Sequence, residues 1–299
     1  MGRRERERKI GLCPGRCLSA VCLVLASCLL MAGCGAQAGT EEKEEAAPFH
    51  VTALKVGKAD ALLLWTEGEA VLLDAGEDDD GEEVLEYIEE QGIDSLKAMI
   101  ITHFDKDHVG GADKILEGCP VETVYYPDYE GDGKQYRQFC EALEASGAAG
   151  TAVRTQTELP VGEASLVISP SALEPEEILA GGEKEYDNDL SLAVRLSCGE
   201  GRMLFLGDAK EQRIEELLQE GDLACDVLKL PHHGRYNDGL PDLLSAAEPE
   251  AVIICCSDKN PPEEETLALL AERGVDVWET RNGNIELCWK GGGWEIRQE

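Results

Sequence analysis

The chain has 299 residues, enough for one large α/β domain or two ordinary ones, and either option buries a sizeable core. Sixty-one acids against 27 basic residues give a formal net charge of −34, which opposes long anionic partners unless a local basic patch overrides it. Twelve cysteines without a CxxC spacing in the body of the chain leave no readable zinc ribbon or disulfide framework.

The N-terminus comes first. Arg3, Arg4, Arg6, Arg8, Lys9 and Arg16 precede an apolar run from Leu18 to Met31, the charged-then-apolar order of an export signal. The run ends at Leu30-Met31-Ala32-Gly33-Cys34, which resembles a bacterial lipobox, with Cys28 as a second candidate for lipidation. Residues 1–33 therefore read as a lipoprotein signal peptide, Cys34 as the lipid attachment site, and the membrane as a partner through that lipid. An uncleaved anchor is the alternative, although the stretch is short for a full span. Six cations and two anions leave with residues 1–33, so the remainder carries −38. Residues 34–47, acidic and without apolar periodicity, read as a flexible tether.

A single domain is expected over residues 48–299. From Phe49 the runs HVTALKV, ALLLWTEG and AVLLDAG predict a β-meander, followed by a helix over GEEVLEYIEEQG and a strand KAMIIT. Helix and strand then alternate: a helix near Ala112–Glu117, strand VETVYY, helix QYRQFCEALEAS, and strands around TAVRTQ and ASLVIS. A second half is expected after the polar stretch Leu173–Asp187, opening with strands LSLAVRLS and RMLFLGD. Helix AKEQRIEELLQEG, strand CDVLKLP, helix LPDLLSAA, strand EAVIICC, helix EEETLALLAERG and final strands follow. Two halves, each a meander followed by βα units, predict two sheets face to face with helices outside.

Strand KAMIIT runs straight into Thr102-His103-Phe104-Asp105-Lys106-Asp107-His108-Val109-Gly110-Gly111. Four metal-capable side chains in six residues exceed what a structural histidine needs. The two glycines let the chain turn into the next helix. Neutral imidazoles and carboxylates bind Zn²⁺ or Mn²⁺, and two such cations about 4 Å apart lower the pKa of a shared water to around 7.

The HxDxDH pattern resembles HxHxDH of the metallo-β-lactamase superfamily, in the variant carried by the extracytoplasmic hydrolase domain of ComEC-type competence proteins. VGKADALLL, LLDAG, NDLSLAVRL, LFLGD and DVLKLPHHG resemble further motifs of that family, in the same order. The resemblance implies an αββα four-layer sandwich and an extracytoplasmic metal-dependent hydrolase with two divalent ions, Zn²⁺ or Mn²⁺. It also implies a phosphodiester substrate, either a cell-envelope component or a nucleic acid; no protein partner is inferable. Carried over residue by residue, it implies that His103 and Asp105 hold one metal, that Asp107 and His108 hold the other, and that Asp208 bridges both. His232 completes the second site as the first histidine after the strand, which leaves Asp107 and His233 as catalytic candidates. Asp74 falls where the family has an acid that supports ligands rather than touching metal.

Two positions depart from the family pattern. Asp105 stands where many relatives have histidine, and no histidine lies between His108 and His233's neighbour His232, so the first site is oxygen-rich and leans toward Mn²⁺. Asp187 or Asn188 is the candidate to fill that gap. The segment Asp258-Lys259-Asn260-Pro261-Pro262 lacks the histidine that competence-type domains carry there. Lys106, Lys229 and Arg235 are candidates for holding a phosphate. A non-catalytic metal- or ligand-binding lipoprotein is the competing expectation.

Overall fold

The computed structural model describes residues 6–11, 47–173 and 186–298. Cys28, Cys34 and the acidic segment up to residue 46 lie outside the described residues.

The first sheet grows from the predicted meander: β2 (Phe49–Ala53), β3 (Ala61–Thr66) and β4 (Glu69–Ala75) pair antiparallel. Three parallel strands extend it: β5 (Leu96–Ile100), β6 (Val121–Pro127) and β7 (Ala149–Val153). They are reached through helices α1 (Gly81–Glu90), α3 (Ala112–Gly118) and α4 (Lys134–Ser146), with one helical turn, α2 (Lys106–Val109), before α3. At the other edge β15 (Ile285–Trp289) and β16 (Gly293–Gln298) add antiparallel, and β1 (Arg6–Gly11) pairs with β16.

The second sheet repeats the plan. Strands β8 (Thr157–Val161), β9 (Ala164–Ser169), β10 (Ala193–Cys198) and β11 (Gly201–Phe205) are antiparallel. Parallel strands β12 (Val227–Lys229), β13 (Ala251–Ile254) and β14 (Asp276–Glu279) follow. Between them lie the short α5 (Tyr186–Asp189) and helices α6 (Glu211–Glu220), α7 (Leu240–Ala247) and α8 (Glu264–Arg273). The second half therefore begins at β8, ahead of the polar stretch 173–187 where it was expected. Strand β9 precedes that stretch and its antiparallel neighbour β10 follows it within the same sheet, so no domain boundary falls there.

Alternation along the strands builds the layers. In β3, Leu62 and Leu64 face the space between the sheets while Ala61 and Leu63 face the helices. In β11, Met203 and Phe205 point inward and Leu204 outward, onto Ile214 and Leu217 of α6. Strands apolar on both faces need cover on both sides. Helix α1 supplies it with Val84 and Ile88, spaced i, i+4, and turns its glutamates to solvent. Three apolar layers between four layers of secondary structure are the αββα sandwich.

Strand β1 lies within the segment read as the charged part of an export signal. Its Ile10 is buried, Arg6 stacks its guanidinium 3.9 Å from the Trp278 ring centroid, and Arg6 and Arg8 both pair with Asp276. A chain processed before Cys34 lacks this strand, and β16 becomes the edge. Removing residues 1–33 should leave the fold intact while the amides of β16 exchange with solvent at least on the order of tenfold faster, because edge pairing is lost and local opening becomes easier. Hydrogen exchange read by mass spectrometry checks this; unchanged protection of β16 would show that β1 contributes nothing to the sheet edge.

Candidate metal centre

Both sheets end their parallel strands at the same place. Strand β4 delivers Asp74, β5 delivers Thr102 and His103, β11 delivers Asp208, and β12 leads into the turn Pro231–Gly234 that carries His232 and His233. Chemistry at the carboxyl ends of parallel strands follows from open loops on a rigid sheet. Gly110 and Gly111 have ordinary helical backbone angles, and their reason is close approach: a Cβ on Gly111 would stand 2.3 Å from the Ala75 carbonyl oxygen.

Asp74 organises the histidines. Its carboxylate accepts from the Thr102 backbone N–H at 2.7 Å, the Thr102 hydroxyl at 2.8 Å and His108 Nδ1 at 2.8 Å. The Thr102 proton is thereby committed, so at 3.1 Å from His103 Nδ1 its oxygen accepts, and that imidazole is Nδ1-protonated. Both rings then present Nε2 to the same space. His108 Nε2 lies 3.2 Å from Asp208 Oδ1, and His233 Nε2 lies 3.1 Å from Asp208 Oδ2 and 3.3 Å from Asp107 Oδ2. None of the three Nε2 atoms, nor Asp208 Oδ1, has a hydrogen-bond partner among the described residues, although all are buried. Ligand atoms of His103, His108 and Asp208 lie within 4.8 Å of one another. Buried, converging and unpaired lone pairs fit divalent cations.

The electrostatics show the same deficit. Burial pushes the carboxyls of Asp107 and Asp208 up, but the neighbouring imidazoles outweigh it and hold both well below the usual carboxylate range. Burial likewise opposes charge on His108 and His233, and the surrounding carboxylates outweigh that too; His108 is raised well above its ordinary value and His233 to about 10. Both rings are thus drawn toward the protonated form, and a cation would compete with those protons for Nε2.

The structure places the sequence-predicted residues unequally. His103, Asp107, His108 and Asp208 converge. His233, rather than His232, reaches Asp107 and Asp208; both residues take left-handed backbone angles, with φ of 50° and 53°, and this reversal turns His232 onto the cavity wall. Asp105 also lines that cavity, 3.8 Å from His103 Nε2 and 44% exposed. Asp187 engages Tyr129, whereas Asn188 is buried at the cavity with no hydrogen-bond partner for Oδ1 among the described residues. Lys106 pairs with Glu77 on the surface, and Arg235 lines the cavity. Lys229 is 1% exposed and ion-paired to Asp60, so it cannot hold a phosphate. Asn260 and Pro261 line the cavity. Sequence reasoning gave no role to Lys58, paired to Asp107, or to Asp60; both sit in the motif VGKADALLL, which was the available signal.

Residues 54–258 match the profile of the metallo-β-lactamase superfamily, and the chain belongs to that superfamily. It is 28% identical over 218 residues to "Recombination protein 2" of Haemophilus influenzae, covering 71% of this chain and 25% of that one. It is 26% identical over 217 residues to "ComE operon protein 3" of Bacillus subtilis, covering 70% and 27% respectively. The chain thus spans about a quarter of the length of these relatives. Among solved structures, the metallo-β-lactamase fold protein YhfI from Bacillus subtilis superposes with a TM-score of 0.50 at 13% identity, over 84% of this chain and 99% of that one. A diphosphatase of the PhnP family gives 0.50 at 15%, over 81% and 99%. These two likenesses concern the fold.

Protonated His108 and His233 stabilise the metal-free protein, and the sign follows from their raised pKa values. Their contribution is complete below the ordinary imidazole value of 6.5 and is lost as pH rises through the folded-state value, about 10 for His233. In EDTA, the melting temperature should therefore fall between pH 6.5 and 10, and His233→Gln should flatten the decline. A flat wild-type profile would contradict the described charge pairing.

Proposed function

We propose that the protein is an extracytoplasmic, lipid-anchored, metal-dependent phosphodiesterase. The convergence of unpaired His108 Nε2, His233 Nε2 and Asp208 Oδ1 is the observation that carries the catalytic part of this reading. Asp107, His108, His233 and Asp208 would hold one divalent ion; His103 and Asp208, with Asp105 and Asn188 at the open side, would hold a second. Bound there, the two cations would acidify water and neutralise charge developing on the phosphoryl oxygens.

The chain's own groups do the rest. Lys58 and Arg235, at the cavity wall, attract the anionic phosphoryl group into a site otherwise ringed by acids. His232, on the solvent side, takes the catalytic part expected for His233 and carries a proton to the leaving oxygen at its ring nitrogen. The chain buries the inner wall, which keeps bulk water from screening these charges. Support for a phosphodiester comes from the ordered motifs shared with ComEC-type hydrolase domains and from these two cations.

Hydrolysis of bis-p-nitrophenyl phosphate, p-nitrophenyl phosphocholine, single-stranded DNA and nitrocefin, each with Mn²⁺ and Zn²⁺, tests the reading. Two metals per chain and turnover of a phosphodiester support it; absent metal and absent turnover would leave a binding lipoprotein. The two histidines separate by role: His232→Gln should lower kcat by 10²-fold or more, on the order expected for a lost general acid, at unchanged metal content. His233→Gln should lower the metal content. The opposite pattern would exchange their assignments.

Asp105 makes the first site harder than one with a third imidazole, and carboxylate, amide and water ligands favour Mn²⁺. Reconstituted wild type should regain more activity with Mn²⁺ than with Zn²⁺, and Asp105→His should narrow or reverse the ratio. An unchanged ratio with one metal in both proteins would place Asp105 outside the centre.

Anchoring rests on Cys34 closing the apolar run. Labelled palmitate should enter the wild type and not Cys34→Ala; label lost only in Cys28→Ala would move the lipid to Cys28.

A further inference from the structure

Asp60, immediately before β3, is 1% exposed and lies beneath the metal centre. Its backbone is clamped on both sides: its N–H donates to the Asp107 carbonyl at 3.0 Å, and its carbonyl accepts from Gly76 N–H at 2.9 Å. Oδ2 pairs with the Lys229 ammonium, itself 1% exposed, and Oδ1 lies 3.5 Å from His233 Nδ1. Both Oδ1 and His233 Nδ1 are buried without a hydrogen bond among the described residues, their 3.5 Å separation lying at the outer limit of one. His108 Nδ1 is farther, 3.9 Å from Oδ2, and already donates to Asp74.

We propose that Asp60 is the positioning residue of His233, accepting its Nδ1–H so that Nε2 faces the metal centre, and that Lys229 neutralises Asp60 for this purpose. The proposal rests on the reading of the site as a divalent metal centre.

The physical case has three parts. A histidine ligand offers one nitrogen as a lone pair only if the other keeps its proton, and a carboxylate on the far nitrogen fixes that tautomer and the ring plane. His233 needs such a hold because its left-handed backbone, φ 53°, gives the ring no support from a regular element. Finally, a buried ion pair is rarely worth its desolvation, and apolar replacements are often neutral or stabilising. Lys229 and Asp60 in the core therefore serve something other than stability, and the free Oδ1 aimed at His233 identifies it. Asp74 does the same for His108, so two buried carboxylates each set one imidazole.

The test compares wild type, Lys229→Met, Asp60→Ala/Lys229→Met and Asp60→Asn/Lys229→Met. Zn²⁺ affinity is measured by chelator competition and folding by melting in EDTA. Lys229→Met should destabilise, because it strands a buried carboxylate. Asp60→Ala/Lys229→Met should melt close to wild type yet bind Zn²⁺ roughly 10–100-fold more weakly, the loss typical of an outer-shell partner. Asp60→Asn/Lys229→Met keeps an acceptor and should recover part of that loss. Zn²⁺ binding by the Ala/Met variant as tight as wild type would overturn the proposal and leave a structural ion pair. A wild type that binds no Zn²⁺ would instead overturn the metal-centre reading itself. Should a variant fail to fold, ¹⁵N imidazole spectra of the Zn²⁺-loaded wild type decide: an Nδ1-protonated His233 supports the proposal, and an Nε2-protonated one overturns it.

Discussion

A carboxylate removed from water must be met by donors, and at the end of β4 Asp74 meets three: the Thr102 amide, the Thr102 hydroxyl and the His108 ring. Everything at the metal centre depends on this satisfaction. It joins the carboxyl ends of β4 and β5, commits the Thr102 proton and so fixes the tautomer of His103, and directs His108 Nε2 outward. The residue holds a left-handed backbone angle, φ 57°, which a non-glycine residue adopts at a cost the surrounding hydrogen bonds offset. Without Asp74, two imidazoles would lose their orientation together.

Around that point the chain concentrates opposite charges where water does not reach. Asp60, Asp107 and Asp208 meet His108, His233 and Lys229, all but a few per cent buried. Such clusters are expensive unless every member is compensated. Here compensation is incomplete: Nδ1 of His108 and Oδ2 of Asp60 are paired, whereas the Nε2 atoms facing the cavity, and Asp60 Oδ1 and His233 Nδ1 behind them, make no hydrogen bond among the described residues. Unsatisfied nitrogens and carboxylate oxygens converging on one cavity fit cations better than a closed salt-bridge core does. The net charge of −34 does not rule out the proposed anionic substrate, because acids farther than about 8 Å from a bound phosphoryl group would be screened at physiological salt, while Lys58 and Arg235 stand at the cavity wall.

Much of this was legible in the sequence because period and position carry it. Apolar strands such as ALLLWT and amphipathic helices such as GEEVLEYIEE stand where the hydropathy placed them, and two sheets were expected, although β8 and β9 join the second sheet ahead of the expected division and β15 and β16 return to the first. Proximity across sheets was less legible. Nothing in VGKADALLL announces that Asp60 will lie against Lys229 from the other half of the chain, since local patterns do not encode contacts 169 residues apart. The choice between His232 and His233 depended on backbone angles that the order of residues does not reveal. Nor did hydropathy announce the edge strand Arg6–Gly11, since RERKIG carries a single apolar side chain and no strand period to read.

The central claim is that unpaired Nε2 atoms and carboxylates gather to hold divalent cations, and anomalous diffraction from crystals soaked in Mn²⁺ tests it most directly. The account predicts a strong anomalous peak within coordination distance of His108 Nε2, His233 Nε2, Asp107 and Asp208, with a second beside His103. Saturating Mn²⁺ with no peak among these residues would contradict it.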